Sequence, residues 1–414
     1  MENGRFHPTS EQYEQQTETA MERALSDGTL TETEASHLRE FVAEISATRH
    51  ISPSRRYKLT YFTIVCRRFM KRPWHDLTIG DLYAGVQALT TARNDDGSLR
   101  YKPNTQLDLV SHIKRYALWL IENHYSAMPA EKVRKIRPPA PDRMTTTAAD
   151  LLTEEDIRAM IEAAKTVKDR AFIAVLYESG CRIGELAQMK WKDVRFEEWC
   201  AWLNTDEKTG KPRLIPLIMS REYLAQWRND YPLPMSGDAL IFVTNNTFKP
   251  IKYESVIKQL RLIAKRGGVQ KHIRGHIFRH SRITHLIQQG MSESIVKRVA
   301  WGGESRMIER YAHLTDADTA AAAAKLAGIT PPNTKKRSKA MDPIQCQTCG
   351  RINGPTDDFC RKCGSAISER AKASVESLSA DMRLVMANEP GIVIEAARRI
   401  RTEGPGRGQG QNRS

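Results

Sequence analysis

The sequence has 414 residues, 40% of them hydrophobic and 27% charged, with 24 glycines and 19 prolines. This balance excludes collagen-like, mucin-like and wholly disordered chains, and at about 150 residues per domain it predicts about three domains. No run approaches the ~18 uncharged apolar residues of a membrane span, and the first residues open no apolar secretory signal, so an intracellular, cytoplasmic protein is expected.

The formal charge is +15 and uneven. Residues 1–50 carry 4 basic and 10 acidic side chains, residues 51–140 carry 16 against 7, and residues 331–414 carry 15 against 9. Lys and Arg displace the counterions condensed on a polyanion, so basic surfaces of this kind predict nucleic-acid binding, with solubility alone as the plainer reading.

Residues 1–32 are polar and acidic and read as a frayed or weakly helical lead-in. Helical spacing begins at Leu38, Phe41, Val42 and Ile45, and continues through Tyr57, Tyr61, Ile64 and Phe69 among five basic residues. Thr78 with Asp81 reads as a helix cap, and Thr105 with Asp108 as another. Residues 33–135 are therefore expected to form a basic, all-helical domain. The proline-bearing stretch 136–150 is a linker.

Thr153 caps the next helix. The helix through Phe172 breaks at Gly180 and resumes at Gly184-Glu185-Leu186, which places Arg182 where its side chain can leave the core. Segments 199–203 and 213–217 flank a polar turn and read as a β-hairpin holding Lys208 and Lys211. Helices are expected around 253–264, 277–289, 293–300 and 317–327. A basic linker (329–341), a cysteine module (342–368), a helical segment (369–403) and a disordered Gly-rich tail (404–414) complete the chain. The expected fold class is thus mainly α with a small β-hairpin or sheet.

Four boxes stand in order between residues 180 and 314: Gly-Cys-Arg182-Ile-Gly-Glu-Leu, Lys208-Thr-Gly-Lys-Pro-Arg-Leu-Ile-Pro-Leu, His276-Ile-Phe-Arg279-His-Ser, and Glu-Arg-Tyr311-Ala-His-Leu. Singly each has an ordinary structural reading. Together they resemble the tyrosine recombinase family of phage integrases and their chromosomal and archaeal relatives, most strongly over 150–315. The resemblance implies an α-rich (α+β) catalytic domain over 151–328 preceded by a core-binding domain, acting on double-stranded DNA as a homo-oligomer, tetrameric in synapsis. It implies site-specific recombination by strand cleavage and rejoining through a 3′-phosphotyrosine at Tyr311.

In that chemistry Arg182 and Arg279 clamp the phosphate, since guanidinium groups match its oxygens and stay protonated. His276 hydrogen-bonds the phosphate, and Lys208, with Lys211 as rival, protonates the departing 5′ oxygen. Glu185 buttresses the first box, and no catalytic metal or nucleotide is required. The family commonly has His or Trp nine residues before the nucleophile. Gly302 stands there in this chain and Trp301 ten before, so Trp301 is assigned with one inserted residue. The 317–327 helix is the expected contact with a neighbouring protomer. Two other classes remain open: a non-catalytic DNA-binding regulator with a recombinase-like core, and a type IB topoisomerase-like nicking enzyme.

Cys346-x2-Cys349 and Cys360-x2-Cys363 are two knuckles, Gly350 and Gly364 following them, with the spacing of a structural four-thiolate zinc ribbon. Two roles stay open for this ribbon, contacting DNA beyond the core site or binding a partner protein, and Lys335 to Lys339, Arg351, Arg361 and Lys362 favour DNA.

Overall fold

The computed structural model of the chain describes residue 6 and residues 8–142, 147–205, 212–312 and 338–388, together with positions 391, 394, 395 and 398. Lys208, Lys211, the expected 317–327 helix, Lys335 and the Gly-rich tail lie outside the described residues. Two compact units divide the chain, residues 1–147 and residues 148–414.

The first unit is helical: α1 (Ser10–Ser26), α2 (Glu32–Arg49), α3 (Pro53–Arg67), α4 (Ile79–Thr91), α5 (Pro103–Glu122) and the short α6 (Ala130–Arg134). The lead-in expectation is corrected here. Thr9 and Gln12 close a capping box, and α1 buries Met21 and Ala24 while Tyr13 lies 6.3 Å from Tyr57 of α3. Only two apolar residues of α1 are buried, too few for a hydrophobic period to stand out from its polar surroundings. The Thr78–Asp81 capping box is present, but α5 starts before Thr105, with Pro103 in its first turn and no side-chain cap. Proline fits there because a first-turn residue has no intrahelical N–H bond to lose.

Trp74, Phe41, Tyr116 and Leu120 anchor the core. Within it, the fully buried Glu34 accepts hydrogen bonds from Arg67 Nε (2.6 Å) and the Trp74 backbone N–H (2.8 Å). The start of the expected linker is fastened down: Asn104 exchanges two 2.8 Å hydrogen bonds with the Asp142 backbone, and Ile136 is buried.

The second unit is built on α8 (Val167–Ser179), whose residues from Ala171 to Ser179 are all buried. Around it stand α7 (Glu154–Ala163), capped by Thr153, α10 (Arg221–Asn229) and α12 (Gly275–Gln288). Beyond Gly180, which adopts a left-handed φ of 57° that disfavours other residues, the chain enters α9 (Ile183–Gln188). Strands β1 (Val194–Phe196), β2 (Ala201–Thr205) and β3 (Arg213–Leu217) form an antiparallel sheet with Thr205 opposite Arg213. β1 is an addition to the expected hairpin; three residues are too short for a period-2 signal.

The buried Glu178 carboxylate accepts hydrogen bonds from the backbone N–H groups of Ile218, Met219 and Ser220 and from the Ser220 hydroxyl (2.6–3.0 Å). It thereby ties α8 to the β3–α10 junction. α11 (Tyr253–Arg266), α13 (Glu293–Trp301) and α14 (Glu309–Ala312) complete this part. The cysteine module contains β4 (Ile344–Gln345) and β5 (Ile352–Asn353), followed by α15 (Glu369–Asn388). Among the described residues no helix is long and apolar enough to cross a membrane.

Candidate active site and four-cysteine centre

Arg182 occupies the N-cap of α9. Its Nη1 donates to Glu185 Oε1 at 2.7 Å, and its backbone N–H donates to Glu185 Oε2 at 2.8 Å, so one carboxylate fixes the residue at both ends. The same carboxylate meets Nη2 of Arg213 at 2.5 Å. Arg213 is wholly buried and its Nη1 also donates to the carbonyls of Ala300 (3.0 Å) and Val299 (3.4 Å), joining β3 to the end of α13. Burial works against the Glu185 charge, but Arg213 and the hydrogen bonds from Arg182 and Arg213 outweigh it and hold the carboxyl below its ordinary value. Arg182 itself keeps 41% of its side chain exposed, so its guanidinium reaches solvent.

Arg279 shares that scaffold. It is 5% exposed, and its two terminal nitrogens donate to the carbonyls of Gly180 (2.8 Å) and Ala300 (2.6 Å). Gly275 makes the close approach of α12 and α9 possible, because a Cβ there would stand 2.7 Å from Cγ2 of Ile183. His276 is exposed one turn before Arg279, and its pKa is lowered by partial burial and then by the charges of Arg279 and Arg182.

Tyr311, on α14, is 4% exposed and packs with Ile283, Leu286, Val296 and Ala300. Its hydroxyl lies 2.7 Å from Nδ1 of His280, and the rings of His276 and His280 are 6.3 Å apart. Trp301 ends α13, where Gly302 adopts a left-handed φ of 72°. The indole ring stands 6.3 Å from the Tyr311 ring and 5.5 Å from the Arg279 guanidinium carbon. The structure thus groups Arg182, His276, Arg279, Trp301 and Tyr311.

Two further residues belong to the group. His280 follows Arg279 in the box and lies one helical turn from His276, a spacing that could have flagged it. Arg213 carried no sequence signal, because an arginine opening an apolar strand reads as solvent-facing.

The four cysteine sulfurs lie within 4.8 Å of one another, with Cys346–Cys363 at 3.6 Å and Cys349–Cys360 at 3.5 Å. Tetrahedral bonds of about 2.3 Å to one zinc ion place sulfurs about 3.8 Å apart, so the set fits a four-thiolate metal site. The module is docked against α10. Tyr223, 2% exposed, places its hydroxyl 2.6 Å from Oγ1 of Thr356 and accepts from the Thr356 N–H at 3.2 Å. Arg351 pairs with buried Glu222 at 2.9 Å and Arg361 with Asp357 at 2.7 Å. These two arginines, expected to favour DNA, are ion-paired within the protein while their side chains stay 34% and 46% exposed.

Residues 150–318 match the phage integrase family. Among curated relatives, tyrosine recombinase XerD of Listeria innocua is 26% identical over 175 residues, covering 40% of this chain and 58% of its own. Transposase A from transposon Tn554 of Staphylococcus aureus is 27% identical over 187 residues, covering 40% and 49%. The chain spans about half the length of these curated relatives. The fold is similar to that of a lambda integrase dimer bound to a core site, at TM-score 0.51 and 17% identity over 67% of this chain and 94% of the other. A XerH recombinase bound to its difH substrate gives TM-score 0.51 and 15% identity over 78% and 99%. The boxes around Arg182, Arg279 and Tyr311 fold into one site inside residues 150–318, the part of the chain that matches the phage integrase family, and the curated relatives similar to this part include tyrosine recombinases.

Proposed function

We propose that this chain is a site-specific recombinase that cuts and rejoins double-stranded DNA through a covalent 3′-phosphotyrosine at Tyr311. The observation that carries the reading is the grouping of a tyrosine hydroxyl, hydrogen-bonded to a histidine, with a guanidinium on the same scaffold as a second one. A phenol of ordinary pKa near 10 is a weak nucleophile until a base takes its proton. His280, when its Nδ1 is unprotonated, accepts the phenol hydrogen bond and is the nearest base. Arg182 and Arg279 offset charge that builds on the non-bridging phosphate oxygens, assisted by His276 and the Trp301 N–H.

The Tyr311 oxygen forms the new bond to phosphorus as the bond to the 5′ oxygen breaks, and Lys208 or Lys211 gives that oxygen its proton. Reversal by a 5′ hydroxyl from another strand completes exchange without an external energy source. Because Tyr311 is buried, engagement of a phosphate requires α14 to move outward. The duplex is received on the exposed basic face formed by Lys258, Arg261 and Lys265 of α11 with Arg274, directly before the His276 box. Residues 33–135 supply a second DNA-binding domain, and protomers assemble on DNA as the lambda integrase dimer does.

The four cysteines hold a structural zinc ion. Its thiolates close every ligand position, which makes it a folding centre and not a reaction centre. The ribbon braces α10 through Tyr223.

Covalent capture tests the assignment. Protein incubated with nicked duplexes of randomised sequence and then denatured is expected to retain a DNA-bound band that Tyr311→Phe lacks. An equal band from Tyr311→Phe overturns the nucleophile. Native DNA binding with no covalent species favours the regulator reading instead, and supercoil relaxation without site preference favours the topoisomerase-like one.

A further inference from the structure

α11 is amphipathic with one residue out of pattern. Its buried face is Ile257, Leu260, Ile263 and Ala264. Successive residues of an α-helix are about 100° apart, so Leu262 points almost directly away from that face. It is 49% exposed. Lys258 and Arg266 stand one turn to either side of it, and Arg261 and Lys265 lie alongside, all four exposed. A single exposed leucine is ordinary on a protein surface. On the crest of a helix where its neighbours are all cations, it is the one group that a DNA phosphate cannot use. An open groove of about 530 Å³ runs beside this crest, lined by Tyr253, Ile257, Arg261, Leu262, Lys265 and Arg274. Arg261 Nε donates to the Ile273 carbonyl at 3.2 Å, which ties the middle of α11 to the segment entering α12 and its His276 box. The crest is thereby held in register with the residues that receive the phosphate.

In the major groove each base pair shows a distinct edge, and thymine adds a C5-methyl to otherwise polar groups. A leucine on a DNA-facing helix can contact that methyl without leaving a hydrogen-bonding group unpaired. Cations to either side of it meet the backbone phosphates and set the helix in place, but carry no sequence information. We propose that Leu262 is a specificity-determining residue, which reads the C5-methyl of one thymine in the major groove of the target duplex. Lys258, Lys265 and Arg266 supply the contacts that are blind to sequence. The assignment rests on α11 being the duplex-facing helix, and adds to it the chemical group recognised and the residue that recognises it.

The test reads equilibrium binding by the full zinc-loaded chain, so its result does not depend on strand cleavage. Duplexes enriched from a randomised pool supply the probe, and each enriched thymine is replaced in turn by deoxyuridine, which deletes only the C5-methyl. Burying one methyl is worth roughly a three- to fourfold change in affinity, and one of these replacements is expected to weaken wild-type binding by about that factor. Leu262→Ala is expected to bind the thymine and uracil duplexes equally, whereas Leu262→Met keeps the difference. Lys258→Ala is expected to weaken binding to every duplex alike and to keep the difference as well. All three variants lie at exposed positions, and thermal unfolding verifies that they stay folded. The proposal is overturned if the pool yields no enriched thymine, if no uracil replacement weakens wild-type binding, or if the difference persists in Leu262→Ala. Covalent capture is measured separately, so a methyl preference without a Tyr311-dependent covalent band supports this assignment and counts against the recombinase reading alone.

Discussion

Arg213 offers the sharpest test of how the site is held. Replacing it with methionine keeps the length of the side chain but removes the 2.5 Å contact with Glu185 and the 3.0 Å bond to the Ala300 carbonyl. Breaking a buried ion pair by deleting one partner costs about 3–5 kcal/mol. Glu185 retains Arg182, so the expected loss lies near the lower end, about 3 kcal/mol. Chemical denaturation of wild type and variant measures it directly. The pH dependence gives a second reading. The Glu185 pKa is depressed in the fold below its reference value of 4.5, so its ionised form contributes stability above that value, lost as pH falls through the folded pKa. The gap between wild type and Arg213→Met is therefore greatest near neutrality and narrows on acidification below 4.5. Arg213→Lys should not restore the site, because a single ammonium cannot span Glu185 and Ala300 with the fixed geometry of a guanidinium. A stability change within about 0.5 kcal/mol, the range of ordinary surface substitutions, would refute the network.

Further outcomes follow from the same geometry. The His276 imidazole should titrate below its reference value of 6.5, and Arg182→Met should move the midpoint upward; a wild-type midpoint above 6.5 in an NMR titration contradicts the placement of the two arginine charges. If the four cysteines hold zinc as proposed, chelation should lower the unfolding temperature and expose Tyr223 to quenchers of tyrosine fluorescence, with Y223F as control. Tyr223→Phe itself removes the bonds to Thr356 and should cost about 1–2 kcal/mol without altering metal content. Gly275→Val forces Ile183 aside next to Arg182, and should slow covalent capture more than it weakens DNA binding.

The sequence by itself determined the four boxes, the cysteine knuckles and most helices, because each rests on local spacing. Arg182, His276, Arg279 and Tyr311 were legible from residue types in order, and Thr153 and Thr78 from capping chemistry that acts over three residues. Tertiary structure decided the remainder. α1 is held by packing on α3, a contact across some 40 residues that its own polar sequence does not advertise. Arg213 is buried only because Glu185 and the Ala300 carbonyl converge on it from distant elements. His280 gains its importance from α14, which brings a hydroxyl 31 residues away to its ring. Arg351 and Arg361 look like a basic patch in one dimension, yet Arg351 pairs with buried Glu222 of α10 and Arg361 with Asp357 four residues before it. A charged side chain's role depends on which opposite charge the fold places beside it, and that information is not local.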